Sequence, residues 1–124
     1  MRHKGTVPLE TPRLQLRRLL AQDAPAMYAN WAGDPAVTRH LRWNPHADVR
    51  ETAQILRAWA ELYPNPDYYQ WAVTEKDGGT LVGTLSIFDD GPNEGGARAL
   101  WRADGADPAA GVWMPGYCYG KAWW

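Results

Sequence analysis

A single cysteine, Cys118, occurs in 124 residues. One thiol closes no internal disulfide and builds no cysteine-based zinc site. An excess of charge of either sign is missing too: 13 Lys and Arg stand against 14 Asp and Glu, a formal net charge of -1. A chain so balanced has no general attraction for nucleic acid or an anionic membrane. No apolar run approaches the roughly 20 residues that cross a bilayer. The opening segment, Met1 to Arg13, lacks the apolar core of a secretory signal. Signatures of several chemistries are missing as well. No strand leads into a Gly-Lys-Ser/Thr phosphate loop. Ser86 has no histidine nearby in sequence and no flanking glycine elbow, which leaves hydrolase chemistry without support. His40 and His46 have no carboxylate or histidine partners at ligand spacing, so no metal is expected. These absences point to one soluble, cytoplasmic domain with no nucleic-acid or membrane partner.

The clearest pattern present runs from Tyr68 to Phe88. Tyr69, Trp71 and Val73 alternate with Tyr68, Gln70, Ala72 and Thr74, and Leu81, Gly83, Leu85 and Ile87 alternate with Val82, Thr84, Ser86 and Phe88. A period of two marks pleated strands. Asp77-Gly78-Gly79 between them supplies the positive φ angles of a tight hairpin turn. A hairpin alone is marginal in water, so the rest of the chain must cover it.

Before the hairpin, residues 1–11 read as a polar lead-in. Pro12 to Leu19 reads as a strand with Leu14 and Leu16 inward, and Arg13, Arg17 and Arg18 as a solvated basic edge. Asp23 reads as a helix N-cap with Pro25 in the first turn and a stop at Gly33. Asp34-Pro35 starts a second short helix that ends before Trp43-Asn44-Pro45. Asp48 and Glu51 start a third, with Val49, Ala53, Leu56, Ala60 and Tyr63 along one face. After Phe88 the pattern stops: residues 90–116 are rich in Gly, Ala and Pro and read as a long loop. Val112 to Tyr119 reads as a fourth strand. The sequence has eight tryptophans, and Trp101, Trp113, Trp123 and Trp124 crowd its last quarter, which suggests a surface meant for a partner.

Three segments carry a family resemblance. Leu9-Glu10-Thr11-Pro12-Arg13-Leu14-Gln15-Leu16-Arg17 with Asp23-Ala24 is similar to the opening strand and first helix start of the GNAT superfamily of acyl-CoA-dependent N-acetyltransferases. Within it, the segment resembles the ribosomal-protein-alanine N-acetyltransferase branch. Trp71-Ala72-Val73, Gly79 and Leu81-Val82-Gly83-Thr84-Leu85 resemble that branch's central hairpin. Gly116-Tyr117-Cys118-Tyr119-Gly120-Lys121-Ala122-Trp123-Trp124 resembles its fourth strand and the approach to the coenzyme loop. The resemblance implies an α+β fold, a truncated GNAT-like antiparallel sheet of three to four strands with two to three helices on it. It implies acetyl-CoA as co-substrate and a primary amine, on a protein N-terminus or a small molecule, as acceptor.

The resemblance also implies roles for residues. The backbone of Tyr117, Cys118 and Tyr119 would pair with the pantetheine arm of acetyl-CoA, with Trp124 at the start of the pyrophosphate loop. Trp31, Arg39 and Trp43 would form the substrate wall, although the residues themselves suit a core position for Trp31 and a solvated charge for Arg39. Asp89 is the best-placed base among the carboxylates after the third strand, although a solvated turn carboxylate is the more ordinary reading of it. The sequence given stops at Trp124, about where the family's pyrophosphate loop would begin, so the resemblance covers the N-terminal half of such an enzyme. Two further expectations follow from that stop. The chain is catalytically inert as it stands, or it is a non-catalytic scaffold. In the second case it self-associates into a homo-oligomer through an exposed fourth strand and Trp113, Trp123 and Trp124.

Overall fold

Among the residues described by the computed structural model (2–41, 43–89 and 113–124), five strands lie side by side in sequence order. They are β1 (Leu9–Glu10), β2 (Leu14–Arg17), β3 (Tyr69–Glu75), β4 (Leu81–Asp89) and β5 (Trp113–Tyr119), and every pairing is antiparallel. The α+β expectation holds. The strand beyond the expected three or four is β1, a two-residue piece of the segment read as a lead-in. A tight turn folds it back: Thr11 N donates to Leu14 O at 2.9 Å, and Leu14 N donates to the Thr11 hydroxyl at 2.9 Å. Most of the expected loop, residues 90–112, lies outside the described residues, and residues 113–116 belong to β5.

The β3–β4 hairpin forms as its sequence directs. Gly78 and Gly79 adopt φ of 85° and 70°, the left-handed region that side chains disfavour. One detail differs from strict alternation. Val73 pairs with Gly83 and Thr74 with Leu81, so Val82 is the extra residue of a β-bulge. The bulge splits Leu81 and Val82 between the two faces differently from a regular strand. Leu81 packs with Ala72 under the helices, and Val82 joins Leu16, Trp71 and Val73 on the opposite face.

A 3-10 turn at Ala21–Asp23 leads into α1 (Ala24–Met27), and a π-helical turn, Tyr28–Ala32, continues it to Gly33. Next come α2 (Pro35–Thr38), capped by the Asp34 carboxylate on Ala36 N, and α3 (Val49–Leu62). The Asp48 side chain accepts from Glu51 N, and Glu51 in turn accepts from Ala47 N at 2.7 Å, which is the capping-box logic one residue displaced. The main core lies between these helices and one sheet face, where Leu19, Met27, Trp31, Val37 and Leu56 meet Ala72 and Leu81. The buried side of α3 is rotated from the expected face. Val49 and Ala60 are exposed, while Thr52, Leu56 and Tyr63 are buried. Thr52 can be buried because its hydroxyl meets His46 Nδ1 at 2.7 Å.

Within the basic edge Arg17 is structural rather than solvated, whereas Arg13 and Arg18 are exposed. Arg17 grips Asp23 through two 2.8 Å bonds, and Asp23 also accepts from Leu20 N. Asp23 therefore ties β2 to the first turn, and its carboxylate does not cap α1. The same hydrogen bond holds the Arg17 pKa above its ordinary value, against the opposing effect of burial. Arg18 donates to Thr6 O and lies 5.1 Å above the Tyr63 ring. Arg17→Ala would leave the buried Asp23 carboxylate unpaired and should cost about 2 kcal/mol in a urea titration. That is below the loss for a fully buried pair, because the Arg17 side chain remains partly in water.

Candidate functional site

The far edge of β5 is the place to begin. Its register with β4 pairs Gly83 with Tyr119, Thr84 with Cys118, Leu85 with Tyr117 and Ser86 with Gly116. Gly120 N donates to Val82 O at 2.9 Å, which fixes the phase of the ladder. By the alternation of antiparallel pairing, Cys118 and Gly116 exchange backbone bonds with β4, and Tyr117 and Tyr119 turn theirs to the other side. Among the described residues no strand pairs with that side. The N–H groups of Tyr117 and Tyr119 and the Tyr117 carbonyl thus point outward along one line. The Tyr119 carbonyl accepts the Trp124 indole N–H at 3.0 Å.

This geometry divides the expected coenzyme residues. Tyr117 and Tyr119 present backbone groups that an amide-rich chain could bond. Cys118 does not, because its N–H and C=O are turned to Thr84. Its thiol faces the helices and packs against the main core, and burial pushes its pKa up to about 11. Burial also raises the hydroxyl pKa of Tyr63 and Tyr68. A thiol or phenol raised on folding stabilises the fold below its unfolded pKa, and that contribution is lost as pH climbs through the folded value. Urea midpoints should therefore hold to about pH 9 and fall toward pH 11. Cys118→Ala should flatten the first part of that fall, and iodoacetamide at pH 8 should label Cys118 far faster in urea than in buffer.

The expected substrate residues separate in the same way. Trp31 is 1 % exposed and belongs to the core beside Leu19, Met27 and Leu56. It faces no cleft, so a substrate-wall role gives way to packing. Arg39 and Trp43 do share a recess, about 360 Å³, with Asn44 next to Trp43 in sequence and Thr38 and Leu41 at its side. Trp43 is 38 % exposed and rests against the His46 ring at 4.9 Å. Arg39 Nε donates to His40 Nε2 at 3.2 Å, and the His40 ring meets Trp124 edge-on at 6.1 Å. A chain of contacts therefore runs from the recess through His40 and Trp124 to the outward edge of β5.

Asp89 ends β4 as the register partner of Trp113. It stands six register positions from Gly83, about 20 Å along the strand, and it does not line the recess that Arg39 and Trp43 share. A larger recess of about 870 Å³ lies on the opposite sheet face, floored by Leu14, Val73 and Val82. It shares Tyr119 with the β5 edge, and Trp123 also lines it. Among the described residues, no group of three or more His, Cys, Asp and Glu could hold a metal ion. Among the same residues no helix is long and apolar enough to cross a membrane. Sequence reasoning missed the aromatic contact of His40 to Trp124, which spans 84 residues and leaves no local signal.

The family description "Acetyltransferase (GNAT) domain" fits residues 13–124. The chain belongs to the GNAT acetyltransferase family. Its sequence is 31 % identical over 79 residues to an uncharacterised N-acetyltransferase, YoaA, of Bacillus subtilis, a match that covers 64 % of this chain and 44 % of that protein. Its fold is similar to that of a GCN5-related N-acetyltransferase from Brucella melitensis, with a TM-score of 0.62 at 22 % identity over 98 % of this chain and 48 % of that one. It is also similar to the ribosomal-protein-S5-alanine acetyltransferase of Vibrio fischeri, at 0.56 and 17 % over 94 % of this chain and 57 % of that one. A Vibrio cholerae protein provisionally described as a ribosomal-protein-serine acetyltransferase gives 0.66 and 20 %, over 94 % of this chain and 56 % of that one. The chain thus spans about half the length of the relatives it matches. β5 is the strand that the sequence read as the fourth, with β1 as the additional strand ahead of it.

Proposed function

We propose that this chain contributes the acceptor wall and the coenzyme-facing strand of an enzyme that moves an acetyl group from acetyl-CoA to a primary amine. The observation that carries this reading is the outward line of Tyr117 and Tyr119 backbone groups on β5. Donors and an acceptor in that order suit the amides of a pantetheine arm. When bound, acetyl-CoA supplies the acyl group already activated as a thioester. The chain's own residues hold and orient. The β5 edge would align the arm, with its phosphate end beside Lys121–Trp124 and its acyl end toward Trp113. Asp89, the register partner of Trp113, stands at that acyl end and is our candidate for the base that takes the amine proton. Arg39 and Trp43 would bind the acceptor, and Trp124 would lie beside the coenzyme's phosphate end.

Calorimetric titration of the folded chain with acetyl-CoA tests this. Saturable binding is expected, and no heat from a chain that circular dichroism shows to be folded would contradict it. A second reading has one observation in its favour: Tyr117 and Trp124, on the same edge, are 68 % and 65 % exposed. Two copies could pair there as β5 against β5. Trp113 and Trp123 support it less, since Trp113 packs on Tyr69 and the Trp123 indole donates to Glu75 at 2.7 Å. Light scattering separates the two: a dimer that acetyl-CoA leaves intact favours self-association, and a monomer rules it out.

A further inference from the structure

The end of the sheet where β3 begins carries a third recess, of about 350 Å³. That is the lower end of the range for small-molecule sites. It shares no lining residue with the recess at Arg39 and Trp43 or with the one at Leu14 and Val82. Aromatic rings dominate it. Tyr68 precedes β3, Tyr69 opens it, Phe88 lies near the end of β4, and Trp113 starts β5. Their neighbours hold them in place. The Tyr68 ring meets Tyr63 edge-on at 5.4 Å, and the Tyr63 hydroxyl accepts from Leu19 N and donates to Gln70 O. The Tyr69 hydroxyl is bonded to His3 Nδ1 at 2.9 Å. Trp113 stands edge-on to Tyr69 at 5.9 Å and lies against the His3 ring at 5.0 Å. Phe88 is exposed, and its ring lies over Gly116, where a Cβ would come 3.1 Å from Phe88 Cε1.

The polar groups of the recess carry charge of one sign. Among its described lining residues Asp67 is the one charged side chain, and Lys, Arg and His are absent from them. Asn65 and Gln70 add amides. The turn that holds Asp67 is fixed by two backbone bonds, Asn65 N to Leu62 O at 3.0 Å and Tyr68 N to Asn65 O at 3.2 Å. The two ion pairs among the described residues, Arg17–Asp23 and Lys76–Glu10, leave Asp67 without a cation. An anion would meet no opposite charge here. A positive nitrogen would meet aromatic faces, which are negative, amide carbonyls, and a carboxylate able to accept a charge-assisted hydrogen bond. We infer that this recess binds an alkylammonium group, with Asp67 facing the charge and the rings of Tyr68, Phe88 and Trp113 beside its methylene chain. Such a group keeps its proton at neutral pH. The site goes beyond the acetyl-transfer reading and does not depend on it, because no backbone group of the β5 edge takes part.

The test is a titration of the whole chain, without acetyl-CoA and at constant ionic strength, followed by amide and indole proton shifts. The probes are pentylammonium, pentanol, pentanoate and Nα-acetyl-lysine methylamide. Pentylammonium should give saturable shifts at the Trp113 indole and the Gln70 side-chain amide. It should bind about tenfold tighter than pentanol, the scale of one charge-assisted hydrogen bond, and pentanoate should not bind. Asp67→Asn, a change at an exposed turn residue, should erase that margin. Trp113→Leu should weaken pentylammonium several-fold in a chain that circular dichroism shows to be folded. Equal binding of pentanol and pentylammonium, a margin that survives Asp67→Asn, or shifts confined to residues outside the recess would overturn the inference. The lysine derivative separates two sources of the same group. Binding tighter than pentylammonium supports a lysine side chain as the natural ligand, and weaker binding supports a free amine. The two readings fail separately: acetyl-CoA binding without the ammonium preference removes this inference alone, and the preference without acetyl-CoA binding removes the transfer reading and leaves this site.

Discussion

Replacing Gly83 with alanine should pull β5 away from the sheet. A Cβ built at Gly83 would fall on the Cys118 carbonyl oxygen and the Tyr119 ring, well inside contact distance, and 3.0 Å from Tyr119 Cα. The first obstacle is backbone, so no side-chain rotation relieves it. Overpacking of this kind costs about 3 kcal/mol. In a domain of this size that is a fall of roughly 10 °C in Tm. The loss should be local before it is global, with the amides of Cys118 and Gly120 exchanging fast while β3 stays protected. Ser86→Ala is the control on the same pair of strands. It removes one 3.2 Å bond from the hydroxyl to Gly116 O and should cost only about 1 kcal/mol. A Gly83→Ala chain with unchanged Tm and a protected β5 would mean that the two strands are not packed this closely.

Trp31→Ala should be the most destabilising change in the helical layer. The ring is fully buried and packs with Leu19, Met27, Ala32 and Leu56, so its removal opens a large cavity between the π-helical turn, α3 and the sheet. Truncations of buried tryptophan cost about 3–5 kcal/mol. That is a large share of the stability of an ordinary domain. Urea denaturation should show it directly, and Trp31→Phe should recover more than half. The pair also distinguishes packing from recognition. A substrate-wall residue would change acceptor affinity with little change in stability, whereas the structure requires the reverse at Trp31.

What could be read in advance followed the local rules. The β3–β4 hairpin, its Gly78–Gly79 turn, the Asp34 and Asp48 caps and the strand through Tyr117 to Tyr119 all depend on neighbours in sequence. What escaped depends on distance. The bulge at Val82 comes from pairing against Val73 and Thr74, and nothing in Leu81-Val82-Gly83 announces it. Arg17 looks like a solvated charge until Asp23 is seen beside it, and the contacts of the exposed Arg18 to Thr6 and Tyr63 are equally distant in sequence. The face of α3 was misjudged because Thr52 is polar, and only its bond to His46 makes its burial affordable. The candidate site divides along the same line. Arg39 and Trp43 are neighbours and meet in one recess, whereas the link through His40 and Trp124 to β5 joins the chain across 84 residues. The outward phase of Tyr117 and Tyr119 is equally invisible in sequence, since it follows from the register with β4 rather than from the residues themselves.

The central claim is that the outward edge of β5 receives the coenzyme arm. Nitrogen–proton correlation spectra of the chain, recorded while acetyl-CoA is added, test it most directly. The account predicts saturable shifts at the Tyr117 and Tyr119 amides and the Trp124 indole, with the Cys118 amide, already bonded to Thr84, moving least. Shifts confined to the opposite recess around Leu14 and Val82, or none at β5 at saturating acetyl-CoA, would contradict it.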